Sequence, residues 1–464
     1  MSDTYYKEDI SNILNKQEFS NYSSDKKKDF MYQEPSQILI RNYISKVTPY
    51  ENILLYHGLG VGKCHKKDTQ ILMYDGSIKN VQDIKEGEYL MGDDSNPRKV
   101  LSLARGKDMM YDIIPIKGDK YTVNKEHILC LKVSGFPKFS HSLLNNNYNI
   151  QWVEDNKYQS KTFTYNNENK NEKKEIAKEF LKSIKNEQIL EISVKDYLNL
   201  SNKKKENLKG YRSGVNFDYV QVPFDPYIIG YWLGDGTARE SSITTQDSTV
   251  LYYMHQNLPK SNLYLSNRQS SYTYGITGNG KYNGNIFLTT LKTLDLLNNK
   301  HIPHIYKCND RQIRLQILAG ILDADGHYNK GLFELSQSIK HERLIDDIVY
   351  LARSLGFACY KNKKKTSWTH KKIKKTGEAW RICISGKGIE EIPTLIPRKK
   401  ALERKQIKDV LVTGITVEPV GIDEYYGFTL DGNCRYLMGD FTVTHNTCAA
   451  ITIAEGFKEY INNL

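Results

Sequence analysis

Three groups of residues in this 464-residue chain have types and spacings that could do chemistry. The first is a broken loop. Residues 53–63 read ILLYHGLGVGK, an apolar strand running into a glycine-rich turn that stops at Lys63. Backbone amides of such a turn cradle phosphates, the Lys reaches the terminal ones, and a Ser or Thr should follow to hold Mg²⁺. Cys64 follows instead. The missing hydroxyl comes at Thr447, preceded by His445 and Asn446, and joining Lys63 to Thr447 restores HGLGVGKTCAAITIAEGF. The 383 residues from 64 to 446 therefore interrupt a nucleotide-binding motif, and they begin with Cys and end with His-Asn.

The second group is those end residues. The Cys64 thiolate can attack the carbonyl of Lys63 and convert that peptide into a thioester. The Thr447 hydroxyl can accept the acyl group, and the Asn446 side-chain amide can cyclise onto its own carbonyl and release the downstream flank. His445 can protonate the leaving amine, and His127, in the strand-like run VNKEHILCL, can serve as acid or base near neutral pH. Alone, a Cys is ordinarily a small buried hydrophobe and a His a structural residue. Their placement at both edges of an insertion whose removal completes a motif decides for chemistry.

The third group is a pair of apolar runs, IIGYWLGDG (228–236) and LAGILDADG (318–326), whose last carboxylates Asp235 and Asp325 are 90 residues apart. Gly230 and Gly234, like Gly320 and Ala324, are four apart, and small residues at that spacing let two helices meet backbone to backbone. Asp235 and Asp325 would then end the helices side by side. Two adjacent carboxylates repel unless a cation lies between them, and Mg²⁺ is the hard, oxygen-seeking choice for phosphodiester hydrolysis. A single apolar helix ending in Asp-Gly is an ordinary C-terminus; two at this spacing are not.

Composition frames these groups. Hydrophobic residues are 39% and charged residues 26% of the chain, as in a soluble protein with cores, and the net charge of +12 favours an acidic partner such as nucleic acid. No apolar run approaches the ~20 residues that span a bilayer, so no membrane role is expected. The N-terminus MSDTYYKEDI is no signal peptide. Seven Cys without a CxxC pair argue against a disulfide framework or zinc site and suit a reducing, intracellular setting, cytoplasm or nucleus.

The elements that must position these groups come in blocks. Residues 33–63 give a helix, a turn, a strand and the loop. From 64 to about 133, and again over 410–446, short strands alternate with turns. Residues 155–190 read as a solvated insertion or helix, and 217–400 as α+β. The expected domains are 1–63, 64–216 with a polar insertion, 217–400, 401–446 and 447–464.

Residues 64–94 (CHKKDTQILMYDGSIKNVQDIKEGEYLMGDD) and 418–446 (EPVGIDEYYGFTLDGNCRYLMGDFTVTHN) resemble the terminal blocks of inteins, self-excising segments of the all-β Hint fold. The resemblance covers 64–446 and implies autocatalytic excision with ligation of Lys63 to Thr447, needing no cofactor. Inteins usually carry Thr three residues before the block His. Asn124 stands there, and its amide can still bond the junction; Thr122 could do so only in a shifted register. Gly427 replaces a frequent Asp, and Cys434 a frequent His that assists Asn cyclisation.

Residues 318–326 resemble the LAGLIDADG motif of homing endonucleases, with 228–236 a looser copy. That implies an α+β domain of pseudo-two-fold symmetry splitting the all-β unit, acting as a monomer on a long asymmetric double-stranded DNA site with Mg²⁺ at Asp235 and Asp325. Lys300, in KHIP, matches a family lysine beside the cleavage site; Lys399 and Lys400 are candidates for the other half. SSITTQDS and SNRQSSYTYGIT suit a sheet reading base edges. SIKHERLIDDIVYLARSLGF resembles the family's next helix.

The flanks resemble the α/β P-loop part of superfamily-2, poxvirus-type helicases of large DNA viruses. Gly58, Gly60, Gly62, Lys63 and Thr447 would bind ATP and Mg²⁺ after ligation. Only 18 residues follow the insertion, without a DExH box, so the expected product is a helicase fragment. Two other readings compete: an ATP-dependent helicase with a splicing-inactive insert, and a DNA-binding module without cleavage.

Overall fold

The computed structural model describes residues 64–446 apart from 186, 269–271, 279–283 and 371–372. Gly58, Gly60, Gly62, Lys63 and Thr447, and with them the P-loop expectation, lie outside the described residues.

The chain enters on β1 (His65–Lys66) and builds β2 (Pro97–Pro115), β3 (Tyr121–Asn124) and β4 (Ile128–Val133). A side unit comes next: a three-stranded sheet of Lys138–Ser142, Asn147–Glu154 and Lys157–Thr164, with the helix Lys170–Ser183 against it. Residues 155–190 read as a solvated insertion or helix; the helix is there, and its Ala177 is buried with Tyr148, Ile150 and Trp152 of the sheet in a small core on which Phe163 and Phe180 pack. β5 (Ile189–Ser193) and β6 (Leu208–Tyr211) then both pair with β4.

Beyond them lies the α+β unit. Helix α1 (Pro226–Asp235) starts at the N-cap Asp225, which accepts from the Ile228 N–H at 3.0 Å, and Pro226 is its first residue. Helix α2 (Arg311–Asp325) repeats the device: Asp310 accepts from the Ile313 N–H at 2.8 Å. Both end at Asp-Gly. Residues 226–233 of α1 are buried all round, so this is a core helix rather than an amphipathic surface one. The two helices cross in close contact. A Cβ on Gly230 would lie 2.2 Å from the Ile317 carbonyl oxygen, and one on Gly320 would lie 2.2 Å from that of Tyr227, so only glycine permits the approach. Strands of Ser242–Thr244, Leu263–Asn267 and Thr273–Gly278 form a sheet after α1. After α2, a four-stranded sheet contains β7 (Leu332–Ser338), β8 (Ala358–His370) and β9 (Ile373–Ser385), with α3 (Glu342–Ser354) between β7 and β8. One apolar core runs through this unit from Phe224 to Ile396.

The chain returns on β10 (Val412–Leu430), β11 (Arg435–Leu437) and β12 (Val443–His445). β10 pairs with β2 from Ile415↔Pro115 to Leu430↔Val100. The turn-like strings ARGKD and EPVGIDEYYG lead one to expect short segments; instead they lie in two 19-residue strands. The long mutual ladder overrides local turn preference, and the irregularity at Pro419/Gly421 absorbs the hydrogen bond that Pro cannot donate. The two units also touch: Arg212 reaches Asp440 Oδ2 at 2.7 Å and Tyr360 Oη at 3.2 Å, and Tyr350 Oη donates to the Gly76 carbonyl at 2.8 Å.

Candidate functional site

β1 puts Cys64 at the edge of the ladder, where His65 pairs with Val123 of β3 and Tyr426 of β10. Cys64 is fully buried. Its N–H, half of the peptide bond to Lys63, donates to Asn124 Oδ1 at 3.0 Å, and Asn124 N–H donates back to the Cys64 carbonyl at 3.1 Å. Asn124 thus grips the upstream junction in the present register. Thr122 does not; its hydroxyl donates to Asp112 at 2.5 Å. Burial first, and the charge of Asp108 second, push the Cys64 thiol up to about 12, so at rest it holds its proton.

His127 is buried three residues beyond Asn124, and its Nε2 lies 2.7 Å from Thr444 Oγ1 on β12. The His65 ring packs edge-on against it, centroids 4.7 Å apart. His65 Nε2 lies 2.6 Å from Tyr436 Oη, and burial lowers this imidazole to about 3, so it stays neutral. His127 therefore stands between the upstream junction and the strand that carries the downstream one. His445 pairs with Arg435 and Ile128. Asn446 donates its backbone N–H to the Cys434 carbonyl at 2.9 Å and its side-chain amide to the Phe428 carbonyl. Cys434 serves this end through its backbone: it sits at φ 59° and its Sγ faces the Leu430 and Gly432 carbonyls. Gly427 pairs with Ala104 on β2.

Glu191 was not legible as a site residue. Its carboxylate accepts from Arg435 Nε at 2.5 Å and lies 3.8 Å from His445 Nε2. Glu191 thereby ties β5 to β11 directly beside the His445 ring. Glu191→Gln is expected to slow release of the downstream flank roughly tenfold through the lost charge-assisted bond to Arg435. Mass spectrometry of that release in a Cys64→Ala background checks it; an unchanged rate would remove Glu191 from the site.

The second site lies where α1 and α2 end. A Cβ on Gly234 would meet Ala324 Cβ at 2.3 Å and Asp325 Oδ2 at 3.2 Å, which shows how closely the two ends approach. Burial, then the charge of Asp325, raise Asp235 to about 6; burial also raises Asp325, whose carboxylate accepts from Gln337 of β7. Lys300 Nζ donates to the carbonyls of Gly234 at 3.0 Å and Gly236 at 2.8 Å, and burial lowers it to about 8. Lys399 plays the matching part on α2, donating to Leu322, Asp323 and Ala324 carbonyls at 3.1, 2.6 and 3.2 Å. Lys400, its neighbour, is exposed. The turn Pro397–Lys399 aims one lysine inward, and Asp323, accepting from the Leu395 N–H at 2.6 Å, pins that turn. Among the described residues no group of three or more His, Cys, Asp or Glu collects as a metal cluster. Two close, half-buried, mutually repelling carboxylates nonetheless fit a hard divalent cation that keeps water and phosphate oxygens as its other ligands.

A strand-rich unit that brings the two ends of a long segment to one histidine, split by an α+β unit with paired carboxylates, defines a class. The family described as Hom_end-associated Hint matches residues 64–445, and the chain belongs to it. It is thus a Hint domain of the protein-splicing class with an associated homing endonuclease. The chain is 31% identical over 140 residues to the replicative DNA helicase DnaB of Mycobacterium intracellulare, covering 30% of this chain and 20% of that one. It is 21% identical to the catalytic subunit of the V-type proton ATPase of Candida tropicalis, covering 85% and 44%. It is also 21% identical to the homothallic switching endonuclease of Saccharomyces cerevisiae, covering 84% and 81%. The chain spans a fifth of the first relative and under half of the second. Among solved structures, the gp41-1 intein is similar over 16% of this chain and 69% of its own, at 20% identity and TM-score 0.14. I-DmoI in complex with DNA and Ca is similar over 34% and 81%, at 12% identity and TM-score 0.23.

Proposed function

We propose that residues 64–446 excise themselves, joining Lys63 to Thr447, and that the α+β unit cleaves double-stranded DNA. The observation that carries the first part is the position of His127, between the gripped Cys64 amide and the strand that ends in His445 and Asn446. Cys64 Sγ attacks the Lys63 carbonyl carbon; the C–N bond breaks and the freed nitrogen of Cys64 takes the proton. The Thr447 hydroxyl then displaces the thiol. Asn446 Nδ2 attacks its own carbonyl, His445 gives the leaving amine a proton, and an oxygen-to-nitrogen shift restores the peptide.

In the second part, Mg²⁺ held by Asp235 and Asp325 would stabilise the attacking and leaving oxygens of a phosphodiester. Lys300 and Lys399 place positive charge beside both helix ends, and the exposed Lys363, Lys364 and Lys365 of β8 suit the phosphate backbone. With both half-sites in one chain, a monomer suffices for a long asymmetric site. The ligated HGLGVGKTCAAITIAEGF supports an ATP-binding host, a helicase or related NTPase of viral type.

The test is intact mass. The purified chain is expected to resolve into a 383-residue species, 64–446, and a second species joining 1–63 to 447–464. A stable full-length chain would sink the splicing reading.

A further inference from the structure

We propose that Asp108 is a positioning residue of the upstream junction, locking the Asn124 amide with its oxygen toward the Cys64 N–H. This rests on the splicing reading. Asp108 lies on β2, where it pairs with Asp423 of β10. Its Oδ1 accepts from the Met109 N–H at 2.8 Å, which fixes the carboxylate, and its Oδ2 accepts from Asn124 Nδ2 at 3.3 Å. Lys125 Nζ stands 4.0 Å away, and the Asp108 side chain is 24% exposed. Asn124 then presents Oδ1 to the Cys64 N–H at 3.0 Å.

An Asn amide has a donor end and an acceptor end of nearly equal shape, and only its partners decide which faces where. Flipped, Asn124 would set an NH₂ against the junction N–H, donor on donor. A carboxylate accepts only, so Asp108 can take only the NH₂ end. A hydroxyl at position 124 would need no lock, because it both donates and accepts. The lock matters most during reaction. As the Lys63–Cys64 bond breaks, the nitrogen gains a proton and becomes a charged donor, so the bond to Oδ1 strengthens on the way to the thioester.

The experiment measures thiol-induced release of residues 1–63 from an Asn446→Ala precursor, which isolates thioester formation. Asp108→Ala is expected to slow release about tenfold, the lost hold on Asn124 outweighing the relief of charge at the Cys64 thiol. The Asn124→Thr precursor serves as a second background with its own release rate, and adding Asp108→Ala there should cost nothing further. Release of 447–464, measured separately in a Cys64→Ala background, should be unchanged by Asp108→Ala, whereas general misfolding would slow both. Parent-like release in Asp108→Ala, or an equal loss in the Asn124→Thr background, would overturn the proposal. A parent that releases nothing overturns both the splicing reading and the proposal built on it.

Discussion

Cys64→Ala should abolish ligation yet leave the downstream junction able to break, so the chain would resolve into residues 1–446 and 447–464. The asymmetry comes from the geometry. Thioester formation needs the Cys64 sulfur, whereas Asn446 cyclisation uses its own side-chain amide, which donates to the Phe428 carbonyl while the Cys434 carbonyl takes its backbone N–H, with His445 beside it. The wild-type upstream step carries a pH signature. The thiol, pushed up to about 12, is almost wholly protonated at pH 7, and each pH unit multiplies the reactive thiolate about tenfold. Thioester formation should therefore rise steeply from pH 6 to 9 and fall as the pH drops. Ligated product from Cys64→Ala, or a flat pH profile for thiol-induced release, would contradict this account.

The residues legible in the sequence and those hidden in it divide along contact range. Cys64, His445 and Asn446 are readable because they border a motif that becomes whole without them. Asp235 and Asp325 are readable because each closes an apolar helix with its own local caps. Asn124 is readable only as a departure; that an amide can grip the junction emerges when β3 sets it against Cys64. Asp108 and Glu191 carry no sequence signal, since each is one charged residue among many. They acquire meaning from strand pairing that brings 108 to 124 and 191 to 435 and 445. Lys399 and Lys400 are indistinguishable as letters, and one tight turn decides between them. The long β2–β10 ladder is hidden for the opposite reason: its Gly and Pro residues imitate turns, and only the partner strand keeps them extended.

Asp235→Asn should cut DNA cleavage by on the order of 10³-fold, several kcal/mol of lost charge stabilisation, while leaving DNA binding intact. A plasmid carrying the uninterrupted coding sequence across Lys63–Thr447 is the substrate, scored as supercoiled, nicked and linear forms. The same substitution should raise the metal-free melting temperature at pH 8. Asp235 is raised to about 6, so its proton is favoured in the folded state, and stability falls as pH rises through that value and the half-buried charge appears next to Asp325. An uncharged amide of the same shape removes the cost, together with the group that would hold the cation. In the metal-free wild type, lowering the pH through 6 should therefore stabilise the fold. Mg²⁺ should stabilise the wild type more than the variant, because binding acts on the folded form alone. Full cleavage by Asp235→Asn would remove the carboxylate pair from the mechanism. A variant both inactive and less stable would mean that the charge serves packing instead. The opposed signs of the two effects tie the pair to catalysis, since a merely structural carboxylate would lose stability with its charge.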